Sequence, residues 1–149
     1  MPTLTLAARS TLFAAAVLAA GCSMNPMGTH APTFSARLTG TAEVPPNPSP
    51  GTGSLDARLN TDSRVLKWKV TYAGLTGPVT AAHFHGPAAP GVNAGVVVPF
   101  SGDLSSPVTG EATLTSAQVA DLMAGKWYVN LHTAAHPGGE LRGQVNPNN

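Results

Sequence analysis

At 149 residues the chain has room for one domain, and its formal charge of +1 with only 10% charged residues provides no basic stripe, which argues against nucleic acid as a partner. A single cysteine, Cys22, means no internal disulfide, so the folded part must hold together by packing alone. With so few charges, Thr, Ser, Asn and Gly must supply much of the polar surface, as suits an extracytoplasmic β-protein.

The N-terminal stretch "MPTLTLAARSTLFAAAVLAAGC" carries a lone Arg9 and then an apolar run from Leu12 to Ala20. That run is too short for a comfortable bilayer span and has the proportions of a signal-peptide core. Ala19, Ala20 and Gly21 suit a signal peptidase, and Cys22 follows at once, so the segment resembles a bacterial lipoprotein signal. The resemblance implies that residues 1–21 are removed and that Cys22 is acylated, making the membrane a partner through an N-terminal lipid anchor. Ser23, rather than Asp, then points to the outer membrane, facing the periplasm or cell surface. Two features depart from that pattern: Ala19 stands where Leu is usual, and the n-region has one positive charge. The alternative is a cleaved secretory signal with Cys22 a bystander. Residues 22–32, including "SMNPMGTHAP", read as a flexible tether in which His30 is solvated.

From Thr33 the pattern changes to period two. Phe34, Ala36 and Leu38 alternate with polar residues, as do Leu55, Ala57 and Leu59, and then Leu66, Trp68, Val70 and Tyr72. Each set is the signature of a strand with one buried face. "VPPNPSPGTG" cannot be a central strand because its prolines lack ladder donors, so it is a long loop. "NTDS" makes a hairpin turn between the second and third strands. Further strands are expected at residues 79–85, 94–100, 108–114, 127–132 and 140–145. One helix interrupts them: Thr115 and Gln118 have capping-box spacing, Val119, Leu122 and Met123 form its buried stripe, and Gly125 ends it. The expected fold is all-β: an immunoglobulin-like or Greek-key β-sandwich of about eight strands with one short helix, over residues 33–146.

Four of the five histidines fall in two clusters, "HFH" and "HTAAH". Phe84 is the better core residue of its strand, so His83 and His85 should share the opposite face. By the same alternation Tyr128, Asn130 and His132, and then Glu140, Arg142 and Gln144, should point outward. If these strands are neighbours, His83, His85 and His132 converge into a three-nitrogen site suited to copper or zinc. His136, on a turn, is a candidate fourth ligand; Glu140 could orient an imidazole, and Arg142 could fix the surroundings of His132. The competing reading has the histidines donating to loop carbonyls and holding turns; the residues alone leave the two evenly balanced.

The motifs together closely resemble the CHRD domain, named after repeats in the extracellular protein chordin. The resemblance rests on His83, His85, Gly86, Pro87 and Ala88; on Gly125, Tyr128, Asn130, His132 and Thr133; and on Pro137, Gly139, Glu140, Arg142, Gly143 and Gln144, with "LTGTAEVPP" as the opening element. It implies a secreted or lipid-anchored β-sandwich but no settled activity. The "HFH" strand is also similar to that of copper/zinc superoxide dismutase, but no histidine lies between His85 and His132 and there is no cysteine pair, so that enzyme is not expected. The leading expectation is a non-catalytic module of the cell envelope that binds a protein or glycan. The alternative is a periplasmic copper- or zinc-binding protein, and a metal enzyme ranks last because no nucleophile–base pattern or substrate pocket is legible.

Overall fold

The computed structural model describes residues 31–148; the signal segment, Cys22 and nearly all of the tether lie outside the described residues. Eight strands follow one another: β1 (Thr33–Thr39), β2 (Thr52–Asn60), β3 (Val65–Ala73), β4 (Val79–His85), β5 (Val96–Pro99), β6 (Val108–Thr113), β7 (Trp127–Thr133) and β8 (Leu141–Pro147). A 3-10 turn at Gly40–Ala42 follows β1, and one α-helix, α1 (Ser116–Met123), precedes β7. All pairings are antiparallel, in the order β5-β4-β7-β8-β1-β2-β3-β6. The sheet coils on itself into a nearly closed sandwich, which is the expected all-β class.

The period-two reading of the first strands holds. Phe34, Ala36 and Leu38 on β1, Leu55, Ala57 and Leu59 on β2, and Leu66, Trp68 and Val70 on β3 are all buried. Their intervening residues are mostly exposed, as alternation across a half-wet sheet demands. The two halves of the sheet meet through aromatic rings: Trp68 packs edge-on against Phe84 at 5.2 Å and stacks on Phe100 at 4.8 Å. β2 and β3 form the expected hairpin, its turn held by Ser63 N–H donating to Asn60 Oδ1 at 2.8 Å.

Thr115 and Gln118 complete a capping box on α1, and Gly125 adopts φ +67° just beyond the helix, a conformation that only glycine takes at no cost. Leu122 is fully buried and Val119 partly so, but Met123 is 43% exposed, so the helical stripe is narrower than expected. An eight-residue helix lying on a sheet has only one line of contact to bury, and Met123 falls beside it.

Around β4, β7 and β8 the expectation of an open outer face fails. Tyr128, Asn130 and Arg142 are 3%, 3% and 2% exposed although they alternate with core residues. Two loop segments cover them. Residues 86–95 are tied down by Ala88 N–H to Lys126 O and by Gln144 Nε2 to Ala88 O. Residues 40–50 are fixed by Asn47 Nδ2 to the carbonyls of Gly139 and Glu140. Asn93 Nδ2, donating to Val44 O at 3.0 Å, joins the two segments. Because this covered face is polar, its buried groups need hydrogen-bond partners, and the loops supply most of them.

Candidate metal centre

β4 sends Ala82 and Phe84 into the core and so turns His83 and His85 to the covered face. Its neighbour β7 sets Asn130 opposite His83, Tyr128 opposite His85 and His132 opposite Ala81. The register therefore supplies the strand adjacency on which convergence of the histidines depended. His83 Nδ1 lies 3.3 Å from His132 Nε2, and one nitrogen from each of His83, His85 and His132 falls within 4.8 Å of the others.

Backbone carbonyls decide which nitrogens are free. His85 Nδ1 lies 2.9 Å from Ala94 O, and His132 Nδ1 lies 2.9 Å from Pro137 O. A carbonyl oxygen only accepts, so both Nδ1 atoms carry hydrogen, and the neutral rings present their lone pairs at Nε2. Both Nε2 atoms lie 3.0 Å from the same atom, Asn130 Oδ1. With the rings neutral, two nitrogen lone pairs and an amide oxygen face one another with no hydrogen between them. A cation satisfies all three, and an Asn130 amide turned end for end would instead donate its NH₂ to both nitrogens; a proton on His132 is disfavoured. Burial lowers the pKa of His83, helped by neighbouring His132 and His85, and burial also lowers that of His132 with a further contribution from His85, against a raising effect from Pro137 O.

The ring of His85 is held on its other side as well. It stacks on Tyr128 with centroids 4.7 Å apart and planes 2° from parallel, and the Arg142 guanidinium lies 3.5 Å from the Tyr128 ring centroid. Arg142 in turn donates to Asn93 Oδ1 and to Val92 O, both at 2.7 Å, so it clamps the covering loop over the histidines. Tyr128 Oη and the Ala94 peptide exchange hydrogen bonds at 3.2 Å, which fixes the carbonyl that selects the His85 tautomer. Arg142 thus fixes the surroundings of His85, through Tyr128, rather than those of His132.

Two expected members do not join the cluster. His136 closes the turn after β7 through backbone bonds with Thr133 and Gly139, and is not among the converging nitrogens. Glu140, expected to face outward and orient an imidazole, is fully buried and directed elsewhere. Its carboxylate accepts from the hydroxyls of Ser49, Thr76 and Thr133 and from Thr76 N–H. Burial opposes ionisation there, but these bonds outweigh it and hold the pKa at about 2. The strand β8 begins only at Leu141, so the alternation that would turn Glu140 outward does not reach it.

One group at this site was not singled out from the sequence. Glu43 is 5% exposed, and its Oε1 has no hydrogen-bond partner. Burial raises its pKa to about 7, against the attraction of Arg142 and hydrogen bonding from Val44 N–H and the Asn130 amide. A side chain on Gly139 would collide with this carboxylate, so glycine leaves the room for it. The available signal was the acidic residue in "AEVPP", the one charge in an otherwise neutral loop.

The fold and these residues define a class: an all-β module with a covered polar face bearing three convergent imidazoles. The family model described as the CHRD domain matches residues 34–145, and the chain belongs to that family. No curated protein and no solved structure matches it.

Proposed function

We propose that this CHRD-domain chain is an extracytoplasmic, lipid-anchored module that binds a copper or zinc ion through His83, His85 and His132. The observation that carries the reading is the meeting of His85 Nε2 and His132 Nε2 at one point, with both Nδ1 atoms committed to carbonyls and His83 Nδ1 3.3 Å from His132 Nε2. Neutral imidazole suits both metals, and three nitrogens leave a coordination position open. The two readings of the histidines that the sequence left balanced are compatible: carbonyl bonds at Nδ1 are what direct Nε2 to a metal. Anchoring through Cys22 rests on the resemblance of the first residues to a lipoprotein signal, and an extracytoplasmic location agrees with the CHRD assignment. The role is binding, without turnover.

Calorimetric titration with copper(II) and zinc(II) tests the reading. The wild type is expected to take up one ion, and His83→Ala and His132→Ala to weaken binding at least about a hundredfold while staying folded. Absence of stoichiometric binding by the wild type would overturn it.

A further inference from the structure

Charge is unevenly shared between the two sides of the molecule. On the outward side of β1, β2, β3 and β6 the register sets Arg58 beside Lys67, Asp56 beside Lys69 and Arg37 beside Ser54, in successive rows. All four basic residues are exposed. Apart from Arg9, they are four of the seven Lys and Arg, whereas only Asp56 and Glu111 of the seven Asp and Glu share the face. The face thus carries a formal +2 and the rest of residues 31–148 a formal −2. Glu111 lies 3.2 Å from Lys67; among the described residues, Arg37, Arg58 and Lys69 make no ion pair.

Two further observations indicate what this face meets. Its outward positions carry no aromatic residue, and the large exposed hydrophobics, Val92, Val96 and Met123, all lie elsewhere. A protein partner anchors on buried aromatic and apolar side chains and disfavours lysine, so the face is poorly made for one. A layer of anionic headgroups asks only for positive charge and hydrogen-bond donors on an open surface. The second observation is where the chain arrives. Ala31 lines the same cleft as Arg58 and Lys67, and Pro32 O accepts from Leu59 N–H at 2.9 Å. Only residues 23–32 separate Cys22 from Thr33, a reach of at most about 40 Å.

We propose that the outward face of β1, β2, β3 and β6 lies against anionic phospholipid headgroups. The proposal rests on the lipid-anchor reading above and goes beyond it by stating which side of the module faces the membrane. A net charge of this size attracts weakly by itself. An anchor whose chain enters at the foot of the face holds it at high local concentration, so weak attraction suffices to orient the module. The two halves of the sheet pack core side to core side through Trp68 and Phe84, so their outward sides point apart. Docking of the basic side therefore leaves the three-histidine centre facing the aqueous compartment.

The experiment is trace acetylation of lysines, read residue by residue by mass spectrometry, on the chain as processed by an expressing bacterium. The vesicles are phosphatidylcholine alone, or phosphatidylcholine with phosphatidylglycerol as about one lipid in three. Lys126, between α1 and β7 and off the face, is the internal reference. At low salt Lys67 and Lys69 should react about fivefold more slowly on the anionic vesicles than on the neutral ones, and Lys126 equally on both. High salt should remove the difference. Arg37→Gln combined with Arg58→Gln neutralises the face at exposed positions without touching a labelled lysine, and should abolish the protection. Equal rates at Lys67 and Lys69 on the two kinds of vesicle, or equal slowing at Lys126, overturns the proposal. Slowing by a soluble acidic polysaccharide but not by vesicles also overturns it, and assigns the face to a glycan. Retention on neutral vesicles reports the anchor alone: its failure removes the anchor reading, while the rates on anionic vesicles still decide the face.

Discussion

In the half of the sheet built from β1, β2, β3 and β6, each strand buries one side and wets the other, and the exposed side carries Arg37, Arg58, Lys67 and Lys69. In the half built from β4, β7 and β8, both sides are covered, and the second side carries His85, Tyr128, Asn130 and Arg142. Both halves present polar residues at alternate positions, yet water satisfies one set and loop carbonyls and amides satisfy the other. A polar residue facing out of a strand is therefore cheap to replace in the first half and costly in the second. The covered half is also where functional groups can be held still: the loops that exclude water select tautomers and orient rings.

Arginine gives the sharpest form of this comparison. Arg142→Ala should destabilise the fold by about 2–4 kcal/mol, since it removes a buried guanidinium that lies over Tyr128, favours the ionised form of the buried Glu43 and ties down the covering loop at Asn93 Oδ1 and Val92 O. Arg37→Ala, at an exposed position of β1, should stay within about 0.5 kcal/mol. Urea denaturation of both at pH 7 checks the pair, and similar losses would erase the distinction between the halves.

The two buried glutamates should give opposite pH dependences. Glu140, held at about 2 against an ordinary 4.5, contributes stability above pH 4.5 that is lost as pH falls toward 2. Glu140→Gln should therefore cost roughly 3 kcal/mol at pH 7 and converge on the wild type near pH 2. Glu43, raised to about 7, behaves in the opposite sense: its contribution is complete below pH 4.5 and disappears as pH rises through 7. Without metal, Glu43→Gln should remove a decline on the order of 3 kcal/mol between pH 4.5 and 8. Denaturation midpoints measured across pH 2–8 for the three proteins resolve both windows, and parallel curves would contradict them.

The smallest effect belongs to the open half. Lys67 Nζ lies 3.2 Å from Glu111 Oε2, and both side chains are mostly exposed. Lys67→Ala should change stability by no more than about 0.5 kcal/mol, and added salt should shrink even that. A loss comparable to that of Arg142→Ala would show the open face to be structured in a way the geometry does not suggest.

Where water covers one face, the sequence was a sufficient guide: alternation identified the buried residues of β1, β2 and β3, and Thr115 with Gln118 located the start of α1. The pattern also put His83, His85 and His132 on one side of their strands, because that side is set by the core preference of Phe84, Val129 and Leu131. What it could not reveal was the covering. Alternation says that a residue leaves the core but not what it meets, so Arg142 and Tyr128 read as solvent-facing when loops 40–50 and 86–95 bury them. Glu140 was misplaced because it lies one residue before its strand, where the period has not begun. Glu43 passed unnoticed because its importance comes from contacts with β7 and β8, far along the chain.

The central claim is that three imidazoles act as one metal site, and X-ray absorption at the zinc edge of the loaded protein tests it most directly. The account predicts a zinc shell with three imidazole nitrogens at about 2.0–2.1 Å, falling to two in His83→Ala. Zinc coordinated mainly by water and carboxylate oxygens, with a spectrum unchanged by His83→Ala or His132→Ala, would contradict it.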